Sequence, residues 1–352
     1  MKDLAICIPA YNRKECLIEL LSTIVTQLTD DNRHRIQICV SDDCSPTDLG
    51  GPSKDFMENY DVEYIFYRNP QNIAVDRNFL KSAEISDAKY CWLVGDDDGI
   101  PPGKIDVVLK CIDENPTIDV FFGNRYICDR NLKIRFEERW TNEKSDFCVD
   151  FTKDDEIEAY FDRLTSTTAL GYLTTLIVKK EVWDSVTADD YEPYIGTIYI
   201  QVSKYIMMLY GKGKLYRITD FIALSRFGYD NFFSSLKQRV FMDFDGFLRL
   251  AAIFENNQKL KGSFLGIVRR HYNNIFLHAM SYSAPLSTEE IEKLKKLGYS
   301  KKQLGFFEKR SRFKSLFSFG AGVIKTIFVD FWWFRKTCMI TMQKFIRGGR
   351  KG

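Results

Sequence analysis

The chain has 352 residues, 45% of them hydrophobic, which supplies ample core and excludes a disordered chain. Its 50 basic and 48 acidic side chains nearly cancel to a formal charge of +2, which excludes a surface built throughout to attract nucleic acid. Nine scattered cysteines with no CxxC pair leave a zinc ribbon or dithiol redox motif unsupported and predict buried free thiols in a reducing compartment.

Met1-Lys2-Asp3 runs straight into the apolar stretch 4–8 with no hydrophobic leader, so the chain is expected on the cytoplasmic side. That stretch reads as a buried strand stopped by Pro9. Leu17, Leu20, Leu21, Ile24, Val25 and Leu28 recur at helical spacing and predict a helix with one apolar face. Residues 36–40, 62–67 and 90–94 predict three more strands, with helical stretches around 53–60 and 75–86 between them. Strand alternating with helix predicts an α/β fold, a mostly parallel sheet with helices on both faces. A fifth strand is expected at 119–123, a return to the sheet at 170–179, an apolar helix at 199–210, and helices from about residue 231 to about 310.

In parallel sheets ligands sit beyond the carboxyl ends of the strands, which directs attention to residues 9–12, 41–45, 68–72 and 95–98. Asp96, Asp97 and Asp98 close the apolar run 90–95 and precede Gly99 and Pro101-Pro102. Carboxylates packed this closely repel, so either they lie in water or a cation holds them together. Asp42-Asp43 ends the second strand and is suited to a base N–H or a ribose hydroxyl, or else to closing a polar turn with Ser45. Tyr11, beside Asn12 and Arg13 at the end of the first strand, offers a ring to a nucleobase or sugar, or is an ordinary exposed loop aromatic. Between the third and fourth strands, residues 69–78 carry four amides, Asn69, Gln71, Asn72 and Asn78, together with Asp76 and Arg77; Arg77 could face phosphate and the Asn side chains could read a base edge, or the segment is a solvated loop with Asp76 near a helix start.

Ile8-Pro9-Ala10-Tyr11-Asn12-Arg13, Val40-Ser41-Asp42-Asp43-Cys44-Ser45, the run from Asn72 to Asn78, and Trp92 through Asp98 with Pro102 four residues on resemble the donor-binding half of family 2 glycosyltransferases of GT-A fold. The resemblance covers residues 3–115 and within the family is similar to abequosyltransferase-like enzymes of O-antigen and capsule assembly. It implies a nucleotide-sugar donor, with Pro9 and Tyr11 lining the base pocket, Asp43 on the base or ribose, Asn72 at the base edge, and Arg13, Arg77 and Asp96 in the donor site. It implies Mn²⁺ or Mg²⁺ on Asp97 and Asp98, although Gly95 stands where the family's first metal-motif aspartate usually falls. The acceptor would be a saccharide, carried on a polyprenyl diphosphate. A carboxylate base is usually found further on within a Glu-Asp pair; residues 194–201 lack it, and Asp190 is the candidate, with Asp189 and Glu192 beside it. The missing pair leaves the stereochemical outcome open.

These readings divide the chain into a nucleotide-sugar half (1–115), an acceptor half (116–230), a helical extension (231–310) and a basic amphipathic segment (311–352). In the last, Lys325, Asp330, Arg335 and Lys336 interrupt any spanning stretch. Lys314, Lys325, Lys336 and Arg347 recur every eleven residues, opposite Leu316, Phe319, Ile327, Phe331 and Phe334, as on a helix lying in a membrane interface. Anionic headgroups would add about 1 kcal/mol per basic residue. Packing on the protein itself, or a homo-oligomeric contact, is the competing reading. Arg226 is expected on a loop closing over diphosphate or, in the blander reading, as a surface arginine. His271 and His278, seven apart on one helical face, are expected to pack and not to ligate metal. Two other function classes remain: a sugar nucleotidyltransferase, which would need a glycine-rich loop where Pro9 to Arg13 stand, and a non-catalytic nucleotide-binding protein of the assembly complex, favoured by the missing base pair.

Overall fold

The computed structural model describes residues 1–227, 235–283 and 285–312. They fall into two compact units, residues 1–164 with 168–227, and residues 165–167 with 235–283 and 285–312.

The first unit is built on one nine-stranded sheet: β1 (Lys2–Ala10), β2 (Ile36–Asp42), β3 (Glu63–Arg68), β4 (Ala88–Leu93), β5 (Val120–Cys128), β6 (Ile134–Glu138), β7 (Phe147–Asp150), β8 (Leu176–Lys179) and β9 (Lys214–Arg226). The order is β3-β2-β1-β4-β8-β5-β9-β7, with β6 on β5. The β3, β2, β1 and β4 strands are parallel, as expected for strands with helices on both faces. Beyond β4 the sheet is mixed: β8 runs antiparallel to both β4 and β5, whereas β9 is parallel to β5.

Side chains alternate along each strand. Leu4, Ile6 and Ile8 of β1, Ile38 and Val40 of β2 and Trp92 of β4 share one core with Leu17, Leu20, Leu21 and Ile24 of α1 (Lys14–Val25) and Ile105, Val108 and Ile112. Cys7, Cys39 and Cys91 alternate with that set and are buried; the eight described cysteines are free. The helix Val75–Glu84 packs against β1 and β2.

Pro9 does not stop the first strand. Val94 N–H bonds Cys7 O and Asp43 N–H bonds Ala10 O, so odd residues of β1 face β4, and pairing with β4 has ended by Leu93. The donor that Pro9 lacks therefore costs no ladder bond. The expected strand 170–179 is shorter, because Thr168–Gly171 and Leu173–Thr175 are helical turns that precede β8.

The described part of the second unit is helical: Leu236–Leu250, Gln258–His271, Asn274–Ser283, Thr288–Lys296 and Lys301–Arg312. Phe247 stacks on Phe264 in its core. His271 and His278 lie on two helices, not one, since the chain breaks at Tyr272 and Asn273. His271 Nδ1 meets the Thr167 hydroxyl at 2.6 Å, and His278 packs on Phe307. No helix among the described residues is long and apolar enough to cross a membrane. The basic segment from 313 onward lies outside the described residues.

Candidate functional site

Because β3, β2, β1 and β4 are parallel, their carboxyl ends share one sheet edge. Two aspartates at the end of β2 have different tasks. Buried Asp42 closes the turn: Arg68 Nη1 reaches its Oδ2 at 2.6 Å, and Ser45 gives Oδ1 both its amide, at 3.0 Å, and its hydroxyl. Asp43 is fixed through its backbone and one oxygen, its N–H on Ala10 O at 2.9 Å and its Oδ1 receiving Ile73 N–H at 2.7 Å and Asn69 Nδ2 at 3.3 Å. None of these bonds uses Oδ2. Asn72, exposed, donates to the Asp43 carbonyl at 3.2 Å.

Asn78, which is buried, ties three strand ends together. Its amide donates to Ala10 O and Ser41 O at 3.3 and 3.0 Å, while its Oδ1 accepts from the Ser41 hydroxyl and Asn69 at 2.7 and 3.1 Å. Asn69 and Asn78 are thus internal cross-links and not base-reading amides. Asn12, Cys44 and Ala74, in the loops after β1, β2 and β3, hold φ of 55°, 58° and 69°. Left-handed backbone at non-glycine residues is strained and clusters at functional sites.

The aspartate turn follows β4. Tyr11 N–H donates to Asp96 Oδ2 at 3.0 Å, and Arg13 Nη1 bridges Asp96 Oδ1 and Asp97 Oδ2, each at 2.9 Å. The Tyr11 side chain stays open, the residue being 46% exposed. Burial, with the charge of Asp97, pushes Asp96 up to about 6 against the pull of Arg13. Burial and Asp97 push Asp98 up to about 7 despite its hydrogen bonds. Too much negative charge is held in too little water, which a cation relieves.

Asp98 is enclosed from the other half of the sheet. The Tyr172 hydroxyl donates to it, lying 2.8 and 2.7 Å from its two oxygens and 2.6 Å from the Ser225 hydroxyl. The Thr174 hydroxyl and Arg226 N–H, the latter at 3.2 Å, complete its shell. Asp98, expected as a metal ligand, thus has both oxygens occupied by internal donors. Arg226 is not a surface arginine: its side chain is 2% exposed and donates to Asp97 O at 2.7 Å, Glu19 at 2.6 Å and Arg130 O. Arg125 stacks 3.9 Å over the Tyr172 ring and pairs with Glu138. Tyr172, Thr174 and Arg226 carry no local sequence signal, since their partner lies at least 74 residues away.

Two further expected residues are engaged with partners of their own. Asp190 caps the short helix Ala188–Tyr191, accepting from Thr187 N–H and hydroxyl at 2.8 and 2.9 Å, and these bonds hold its pKa below the usual carboxylate value. A carboxylate so engaged is a weakened base. Arg77 is exposed and ion-pairs with Glu192. Its neighbour Asp76 is buried and accepts from Gly196 and Ile198 N–H at 2.7 and 3.2 Å.

For a divalent cation the donor set is sparse. No group of three His, Cys, Asp or Glu among the described residues could hold a metal ion unaided. That fits Mg²⁺ or Mn²⁺, which take one or two carboxylates and complete their shell with phosphate oxygens and water. Asp97, with a side chain 17% exposed against 7% for Asp96, is the best placed of the three.

The chain is 32% identical over 276 residues to the abequosyltransferase RfbV of Salmonella typhimurium, covering 75% of this chain and 79% of that protein. Residues 5–166 match the model of glycosyl transferase family 2. The chain belongs to glycosyltransferase family 2. It is a glycosyltransferase, and likeness to solved structures shows its GT-A fold: S. aureus TarS (residues 1–349) in complex with UDP-GlcNAc has a TM-score of 0.60 at 16% identity over 84% of this chain and 80% of that one. The mannosyltransferase PcManGT of Pyrobaculum calidifontis, in complex with GDP-Man and Mn²⁺, has a TM-score of 0.53 at 11% identity over 92% of this chain and 89% of that one.

Proposed function

We propose that this glycosyltransferase moves a sugar from a nucleoside-diphosphate donor to a hydroxyl of a saccharide acceptor in cell-surface polysaccharide assembly, with a divalent cation on the donor diphosphate. One observation carries the donor reading. The end of β1 joins two acidic sites, Ala10 O holding Asp43 on one side and Tyr11 N–H and Arg13 holding Asp96 and Asp97 on the other. A nucleotide laid across this strand end meets a base-binding carboxylate at one end and a cation-binding one at the other. Pro9 and Tyr11 line the base, Asn72 stands at its edge, and Asp43 Oδ2 accepts from base or ribose. Arg13 keeps Asp96 and Asp97 aligned before the donor arrives, and Asp97 is the ligand that the chain offers to Mn²⁺ or Mg²⁺. Such a cation supplies neutralisation of the charge that develops on the leaving diphosphate.

The likeness to an abequosyltransferase supports an acceptor that is a growing saccharide, and a polyprenyl diphosphate carrier suits the basic segment 311–352. That segment would then hold the enzyme on the inner face of the cell membrane.

Release of nucleoside diphosphate from a panel of sugar donors, with acceptor and with or without Mn²⁺, tests the reaction. Asp97→Asn is expected to keep the fold and lower turnover by about 100-fold or more. Undiminished turnover would remove Asp97 from the site. A chain shortened to end at Ser311 should stop floating with anionic liposomes, and unchanged flotation would refute the interfacial helix.

A further inference from the structure

The structure assigns to Asp98 the role of an internal anchor, with Tyr172 and Arg226 as positioning residues that act through it and through the Asp97 backbone to hold Asp97 where a cation-bound diphosphate needs it. This rests on the proposed metal role of Asp97 and goes beyond it, because it transfers part of the donor site to residues of the acceptor half.

Four geometric facts support it. The Asp98 carboxylate, 5% exposed, receives three donors from two segments, Tyr172 and Thr174 before β8 and Arg226 at the end of β9. Thr174 also accepts Gly95 N–H at 3.0 Å, so one hydroxyl grips both ends of the turn. Gly99 and Leu224 exchange backbone bonds at 2.9 and 2.8 Å, which docks the exit of the turn onto β9. Arg226 then spends its guanidinium on the Asp97 carbonyl, the Arg130 carbonyl and Glu19 of α1, linking the turn to three separate elements.

A carboxylate saturated in this way is poorly placed to bind a cation, but it fixes a backbone well. Asp97 lies between these anchors, its carbonyl held by Arg226 and its carboxylate turned to Arg13. Preorganised ligands lose less freedom on binding, so loosening Tyr172 or Arg226 should weaken cation uptake even though neither touches the cation.

The test uses the full chain and two readouts. Amide hydrogen exchange of the metal-free protein should rise about tenfold over residues 95–99 in Tyr172→Phe and in Arg226→Lys, with the rest of the sheet unchanged. Mn²⁺ uptake in the presence of nucleoside diphosphate, followed by electron paramagnetic resonance, should fall about tenfold in Tyr172→Phe and in Asp98→Asn, with the double variant no weaker than either single one. Asp97→Asn should abolish it. If Asp98→Asn abolishes uptake as Asp97→Asn does, while Tyr172→Phe changes neither uptake nor exchange, Asp98 is itself a ligand and the proposal is overturned. A wild-type chain that takes up no Mn²⁺ with any nucleoside diphosphate would undo the metal reading alone. The exchange data would then decide the anchor: unchanged exchange in both Tyr172→Phe and Arg226→Lys refutes it.

Discussion

At the shared sheet edge, the loops after β1, β2 and β3 hold one another with bonds that stay within the parallel half of the sheet, whereas the segments before β8 and at the end of β9 reach into it to hold a single turn. In the first region the fixing groups are backbone amides and asparagine side chains, and the backbone takes left-handed conformations at Asn12, Cys44 and Ala74. In the second, Tyr172 and Arg226 reach across 74 and 128 residues to one carboxylate. The contrast teaches that the proposed nucleotide pocket is largely self-contained, while the proposed cation end depends on a scaffold supplied from elsewhere in the chain.

Three variants sharpen or break this contrast. Asn78→Ala removes a buried side chain with four hydrogen bonds and should cost about 3 kcal/mol of stability, read by denaturant unfolding. A loss under 1 kcal/mol would mean that the strand ends hold together without it. Asp43→Ala should weaken nucleoside-diphosphate binding by roughly 30-fold in calorimetry while hydrogen exchange over 95–99 stays at the wild-type rate. Faster exchange there would show that the two ends are one cooperative unit.

The smallest effect concerns Lys204, buried on the helix Ile200–Leu209 between the rings of Trp183 and Tyr191, where burial lowers its pKa to about 8. The folded state then binds fewer protons than the unfolded one between about 8 and the ordinary value of 10.5. Stability therefore rises as pH climbs through that window. Lys204→Met should melt roughly 2 °C higher at pH 7 and lose the advantage by about pH 10. A constant difference across that range would show that the ammonium is not destabilised there.

The parallel half of the fold was legible because apolar runs such as 36–40 and 90–94 end abruptly in polar residues, and the alternation of strand with helix makes the strands parallel and places those ends on one edge. The acidic clusters followed from it. What each acid does was not legible. Asp42 and Asp43 are adjacent and chemically identical, yet register gives one to Arg68 and Ser45 and the other to Ile73. Asp190 looked free as a base because the sequence does not reveal a capping bond to Thr187. Arg226 looked solvated because its acceptors are two carbonyls and Glu19, none of them near it in the chain. The mixed strand pairing after β4 was equally hidden, since short strands such as β8 carry too few residues to show direction.

The reversed direction of β8 bears on how such enzymes can be recombined. Because β8 is antiparallel to β4, its beginning, and with it Tyr172 and Thr174, arrives where β4 finishes. A hybrid that joins the first 115 residues of this enzyme to the remainder of a relative would carry the proposed nucleotide pocket intact but set Asp98 among foreign neighbours. Exchange of donor preference by grafting should therefore succeed only when Tyr172, Thr174, Ser225 and Arg226 travel with the graft.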